Sequence, residues 1–116
     1  MRADMANDLP AYPAPSDSFV VRPKGRMNMA VASDFRVALI AHIEEGKSRL
    51  VVDLIDVETI DSSIVGALVA AVKVARRSGG DVRIVAPSTQ VAEILKMANL
   101  TRVLPAYPSV EEAFKG

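Results

Sequence analysis

The sequence specifies an α/β fold built on a mixed, mostly parallel β-sheet, and three observations carry that expectation. Densely apolar, β-branched segments alternate along the chain with amphipathic helical ones, the pattern of βαβ crossovers. The helical segments stop at glycine, at Gly46 and again at Gly79-Gly80. The 116 residues are half hydrophobic, enough for one core on a scale of about 100 to 200 residues per domain.

Residues 1–17 hold Pro10, Pro13 and Pro15 without periodicity, so a flexible Pro-rich N-terminal tail is expected there, with the folded domain spanning 18–116. Ser18 to Arg22 reads as a short strand that either ends at Pro23 or lies at an edge, since proline has no backbone donor. Val31, Phe35, Ala38, Leu39 and Ile43 fall at helical spacing over residues 30–45. Leu50 to Val57 is too apolar to have a wetted face and reads as one buried central strand. A helix follows from Ser62 or Ser63 to about Ser78, apolar along Val65, Leu68, Val69 and Val72 and ending in Lys73, Arg76 and Arg77. Asp81 to Ala86 is the next strand, and Pro87-Ser88-Thr89 opens a third helix through Val91, Ile94 and Leu95. A strand at 102–104 is expected, then a last helix from Val110, where Ser109 and Glu112 stand at capping-box spacing.

The pentapeptide Leu9-Pro10-Ala11-Tyr12-Pro13 recurs as Leu104-Pro105-Ala106-Tyr107-Pro108. It is too short for a structural repeat unit. Coincidence in a Pro- and Ala-rich chain is the simpler reading, and occupation of the second copy's place by the tail is the sharper one.

Composition narrows the partners. Fourteen Lys plus Arg balance 14 Asp plus Glu, and aromatics make up 4% of the chain, which argues against nucleic acid. Zero net charge leaves a monomer or a weak dimer as the expected state. The chain has no cysteine, so disulfides, thiolate nucleophiles and Cys-based metal sites are out, as suits a cytoplasmic protein. The longest apolar run, Ile64 to Val72, is far short of the ~18 residues of a span, and no leader or anchor is read at the N-terminus, so no membrane insertion is expected.

Catalysis lacks an inventory. The single histidine, His42, sits on a helix with Glu45 three residues on, an ordinary boundary position. A triad of Ser62, His42 and Asp61 has nothing to recommend it without a G-x-S-x-G elbow, and neither Gly-rich nucleotide loop occurs. Asp53, Asp56, Glu58 and Asp61 gather near a strand end, where a divalent ion is the sharp reading and solvated loop carboxylates the ordinary one. The cations of 73–77, and Arg22, Lys24 and Arg26, read as solvated faces. No enzyme activity, metal or cofactor is therefore expected.

One segment stands apart: Val51-Val52-Asp53-Leu54, then Thr59-Ile60-Asp61-Ser62-Ser63-Ile64-Val65-Gly66. A buried strand leads to a helix that opens on two serines, where a hydroxyl meets the positive helix end. A plain N-cap is the simpler reading of those residues alone. With Gly79-Gly80, Val91 to Leu95, Asn99-Leu100 and Gly25-Arg26-Met27-Asn28 at matching intervals, however, the chain resembles the STAS domain over about residues 18–114. It is most similar to the free-standing bacterial anti-sigma factor antagonists.

The resemblance implies helices packed on one face of the sheet and a regulator of transcription that signals by partner switching. Unphosphorylated, such a protein binds a serine kinase of ATPase-like fold that doubles as anti-sigma factor. The kinase releases it after phosphorylating the first paired serine, here Ser62, and a phosphatase reverses the modification. Asp61, Ser62, Ser63, Ile64, Met27 and Asn28 are the implied switch surface. Ile64 stands where the family has glycine and is expected to put a β-branched side chain in the partner's path, while Asn28 replaces an aspartate. Two alternatives stand beside this reading: an unphosphorylated STAS scaffold or accessory subunit of a transporter or signalling complex, and a small-ligand or nucleotide-responsive domain using the acidic strand end.

Overall fold

A computed structural model describes residues 9–115, and within them seven strands and four helices follow in order. They are β1 (Tyr12–Ala14), β2 (Ser18–Val21), β3 (Gly25–Met27), α1 (Met29–Glu44), β4 (Arg49–Asp53), β5 (Val57–Ile60), α2 (Ser62–Arg77), β6 (Asp81–Val85), α3 (Thr89–Met97), β7 (Ala106–Tyr107) and α4 (Val110–Ala113). The main sheet has the order β1-β2-β4-β6-β7, and β3 pairs with β5 in a separate two-stranded ribbon. All pairings are parallel except β1 with β2. The α/β class and the mixed, mostly parallel sheet thus match the sequence reading.

Alternation along each strand divides the core. Val21, Leu50, Val52, Val82 and Ile84 face a cluster built with Phe35 and Leu39 of α1, Leu68 and Val72 of α2, and Val91 and Leu95 of α3. Val20, Val51 and Val85 point the other way, where the single turn of α4 and Phe114 cover them and Ala14, Ala86 and Tyr107 pack at the margin. The three long helices therefore share one face. No helix among the described residues is long and apolar enough to cross a membrane.

Several boundaries differ from the sequence reading, each for a local reason. Residues 9–17, expected in the tail, belong to the folded domain: Leu9 is buried, β1 zips onto β2, and residues 1–8 of the expected tail lie outside the described residues. Proline is tolerated in β1 because that strand is an edge. The segment 50–57 is two strands, since the Asp53 carboxylate accepts from the Ile55 amide at 3.1 Å and Val57 N bonds back to the Leu54 carbonyl, forming a turn at 54–56. Residues 102–104 form a turn, with the Leu104 amide on the Leu100 carbonyl, and the strand comes later at 106–107. Ser109 precedes α4 but its side chain makes no cap hydrogen bond, so no capping box forms.

The repeated pentapeptide supplies both edges of the main sheet. Leu9 and Leu104 are each buried, Tyr12 lies in β1 and Tyr107 in β7. An apolar anchor followed by a proline-flanked strand is a workable edge at either end, because edge positions spare the missing N–H.

Candidate functional site

The ribbon of β3 and β5 positions the site. Met27 lies opposite Ile60 in parallel register, so the next residues, Asn28 and Asp61, emerge side by side and become the N-caps of α1 and α2. The Asn28 side chain accepts from the Ala30 amide at 2.9 Å. Asp61 does more. Its Oδ1 accepts from the amides of Ser63 and Ile64, at 3.0 and 3.2 Å, and from the Ser63 hydroxyl. Its Oδ2 accepts from the Met29 amide of α1 at 3.0 Å, tying the two helix starts together. The hydrogen bond from Ser63 is the chief reason its carboxyl sits below the ordinary value of 3.8. Burial opposes that lowering, and the three amides assist it.

This arrangement separates the two serines. Ser63 is half-buried with its hydroxyl committed to Asp61. Ser62 is exposed, and among the described residues its hydroxyl makes no hydrogen bond. The first paired serine thus presents an exposed, unbonded hydroxyl and the second is a structural part of the cap. Met29, 78% exposed, sits beside them as an apolar side chain that the sequence reading did not single out. A methionine at the first helical position, just after an N-cap, was the signal for it.

Of the six residues expected on the switch surface, the structure brings Asn28, Asp61, Ser62 and Ser63 together and withdraws two. Met27 and Ile64 are buried, at 2% and 1% exposure, because Met27 belongs to the inward register of β3 and Ile64 faces the core in the first turn of α2. Ile64 therefore places nothing in a partner's path. At that positive helix end the amides of Ser63 and Ile64 are taken, by the Asp61 carboxylate.

The other candidates disperse. Asp53 is buried and pairs with Arg22 at 3.2 Å, and Glu58 stands near Arg26 at 3.7 Å. Asp56 is exposed. No three carboxylate or imidazole groups among the described residues converge as ion ligands. His42 is engaged away from the serines, its Nε2 donating to the Leu9 carbonyl at 2.7 Å, since a carbonyl can only accept. The strand ends open instead onto a cavity of about 420 Å³ between Pro13, Arg22, Asp53, Ile55 and Val110, where the cation and the buried carboxylate neutralise each other.

A ribbon that sets two helix N-caps side by side on a mixed sheet defines a STAS domain: the family model for that domain matches residues 10–113, and the chain belongs to the family. Within it, a Thermotoga maritima protein provisionally assigned as an anti-sigma factor antagonist is 29% identical over 105 residues, 90% of this chain and 93% of that one. A Thermotoga neapolitana homologue is 28% identical over the same length. The crystal structure of a T. maritima protein with the same provisional assignment superposes with a TM-score of 0.84 at 26% identity, over 95% of this chain and 94% of that one. The Bacillus cell fate determinant SpoIIAA in its phosphorylated form shares the fold, with a TM-score of 0.66 at 15% identity over 87% of this chain and 92% of that one.

Proposed function

We propose that this protein is a non-enzymatic, cytoplasmic anti-sigma factor antagonist that works by partner switching, with Ser62 as the phosphorylated residue. Unmodified, it binds an anti-sigma factor that is also a serine kinase of ATPase-like fold. Phosphorylation of Ser62 releases it, and a phosphatase resets it. The observation that carries this reading is the division of labour between the serines, one hydroxyl exposed and unbonded, the other spent on the Asp61 cap.

The physics of the site supports a switch that spares the fold. A phosphate on Ser62 brings about −1.5 to −2 charge. The amides of Ser63 and Ile64 already serve Asp61, so neither is open to the new dianion, which projects outward, next to a carboxylate of like sign. Burying it under a partner is costly, whereas leaving it in water costs the folded domain little. Asn28 and Met29 flank the same spot and extend the contact.

The experiment is a capture from native lysate on Ser62→Ala and Ser62→Asp baits. A kinase-fold protein retained by the Ala bait and lost by the Asp bait, with phosphate found on Ser62 of the wild-type chain, is expected. Equal retention on both baits would sink the switch and leave a constitutive scaffold.

A further inference from the structure

The outer surface between α1 and α2 carries a groove that touches the cap at one end, through Ser63, and otherwise runs along helix surfaces to which the Ser62 switch assigns no role. Two hollows of about 420 and 280 Å³ lie next to each other along this surface and share Arg36 and Gly66 in their linings. The floor of the larger is apolar, from Ile40, Val69 and Val74, and its walls carry Arg36, Lys73 and Arg77. No acidic side chain lines either hollow, and none of the three cations makes an ion pair among the described residues. In a chain of zero net charge, three unneutralised cations along one apolar channel are a local field of one sign. Arg76 on the neighbouring face, by contrast, is paired with Asp81 at 3.1 Å.

Gly66 gives the second observation. A glycine inside a helix loses stability relative to alanine through backbone entropy. Here the fold does not require it: Gly66 is not among the positive-φ glycines, and a Cβ added to it would meet nothing within 4 Å. The space over its Cα is open from outside, so the position suits a group that arrives from another molecule.

We infer that this groove docks an amphipathic helix of a partner protein, one with aliphatic side chains on its inner face and carboxylates along both edges. The channel from Gly66 to Arg77 spans roughly 16 Å, at the rise of an α-helix, which is three turns of such a partner. A helix laid between two helices matches ridge to groove. Carboxylates along its edges would meet Arg36 on one wall and Lys73 and Arg77 on the other. The lining has no aromatic side chain to stack a base. The inference goes beyond the partner-switching reading and stands or falls without it, because the groove is assayed with Ser62 untouched.

The test is an NMR titration of the ¹⁵N-labelled chain with a synthetic helix of about 14 residues, leucine on one face and glutamate along the edges, against the same helix with lysine for glutamate. The acidic helix is expected to shift the amides of Arg36, Gly66, Val69, Lys73 and Arg77, and the basic one to leave them in place. Lys73→Glu with Arg77→Glu should weaken binding about tenfold, and Gly66→Leu should abolish it while the remaining amides keep their positions. Lys73→Ala, a milder surface change, should weaken binding in the same direction. Shifts confined to another surface, equal response to both helices, or no response would overturn the inference. So would groove shifts produced only by anionic phospholipid vesicles, or only by raising the concentration of the chain itself.

Discussion

The two faces of the main sheet are built on different principles. One face is a conventional packed core, in which Val21, Leu50, Val52 and Ile84 lie under three helices whose own stripes supply Phe35, Leu39 and Leu68. The other is closed by a peg. Phe114 seats against Val20, Val51 and Val85, and its ring is gripped by the guanidinium groups of Arg49 and Arg83, at 4.7 and 4.4 Å. Arg83 also donates to the Ala113 carbonyl at 2.8 Å, and Arg49 to the Ser16 carbonyl at 3.0 Å. The difference teaches where stability resides: the helical face by apolar burial, the open face by a few stacked and hydrogen-bonded contacts from the chain's last turn.

That contrast is breakable by truncation on each side. Phe35→Ala empties a site enclosed on all sides and should cost about 3 to 5 kcal/mol in chemical denaturation. Phe114→Ala should cost less, about 1.5 to 2.5 kcal/mol, since one side of the ring faces arginines near solvent and α4 can relax with it. Equal losses would mean that the peg is as integral as the core. Leu9→Ala falls between them in kind. A leucine on a free tail would cost nothing, whereas this one, 2% exposed in the helical-face cluster, should cost about 2 kcal/mol.

The same contrast explains what was legible in the sequence. Elements of the helical face announce themselves by periodicity, and their helices fall within one or two residues of expectation, although the buried stripe of α2 runs through Ile64, Ala67, Leu68, Ala71 and Val72 and leaves the expected Val65 and Val69 half-buried. The open face leaves no such trace, because Arg49, Arg83 and Phe114 meet only in three dimensions. Leu9 and β1 were hidden behind prolines that an edge strand tolerates, and β5 behind the mostly apolar run of residues 50–57, in which Asp53 and Asp56 are the sole marks of the turn. At the site, the spacing of Asp61, Ser62 and Ser63 was readable as a helix start. Which serine is free was not, since that depends on a hydroxyl choosing the Asp61 carboxylate. Nor was the burial of Met27 and Ile64, which is set by the register of β3 against β5 and the rotation of α2.

The smallest effect expected lies at that carboxylate, away from both faces. Asp61 is held below its ordinary 3.8 first by the Ser63 hydroxyl, so Ser63→Ala should move its titration, followed by carboxyl ¹³C NMR, upward toward that value. The sign for stability follows from proton counting. The unfolded chain takes up the Asp61 proton near 3.8 while the folded chain still refuses it, so acid favours unfolding in that window. The contribution of the cap is fully present above 3.8 and is lost as pH falls through the lowered folded value. Ser63→Ala should therefore flatten the acid limb of the stability profile while leaving the ranking of Phe35→Ala over Phe114→Ala unchanged at pH 7. An Asp61 titration unmoved by the substitution would show that the amides of Ile64, Met29 and Ser63 set the charge at the helix start. Ser63 would then be as free as Ser62, and the distinction between the two serines would be gone.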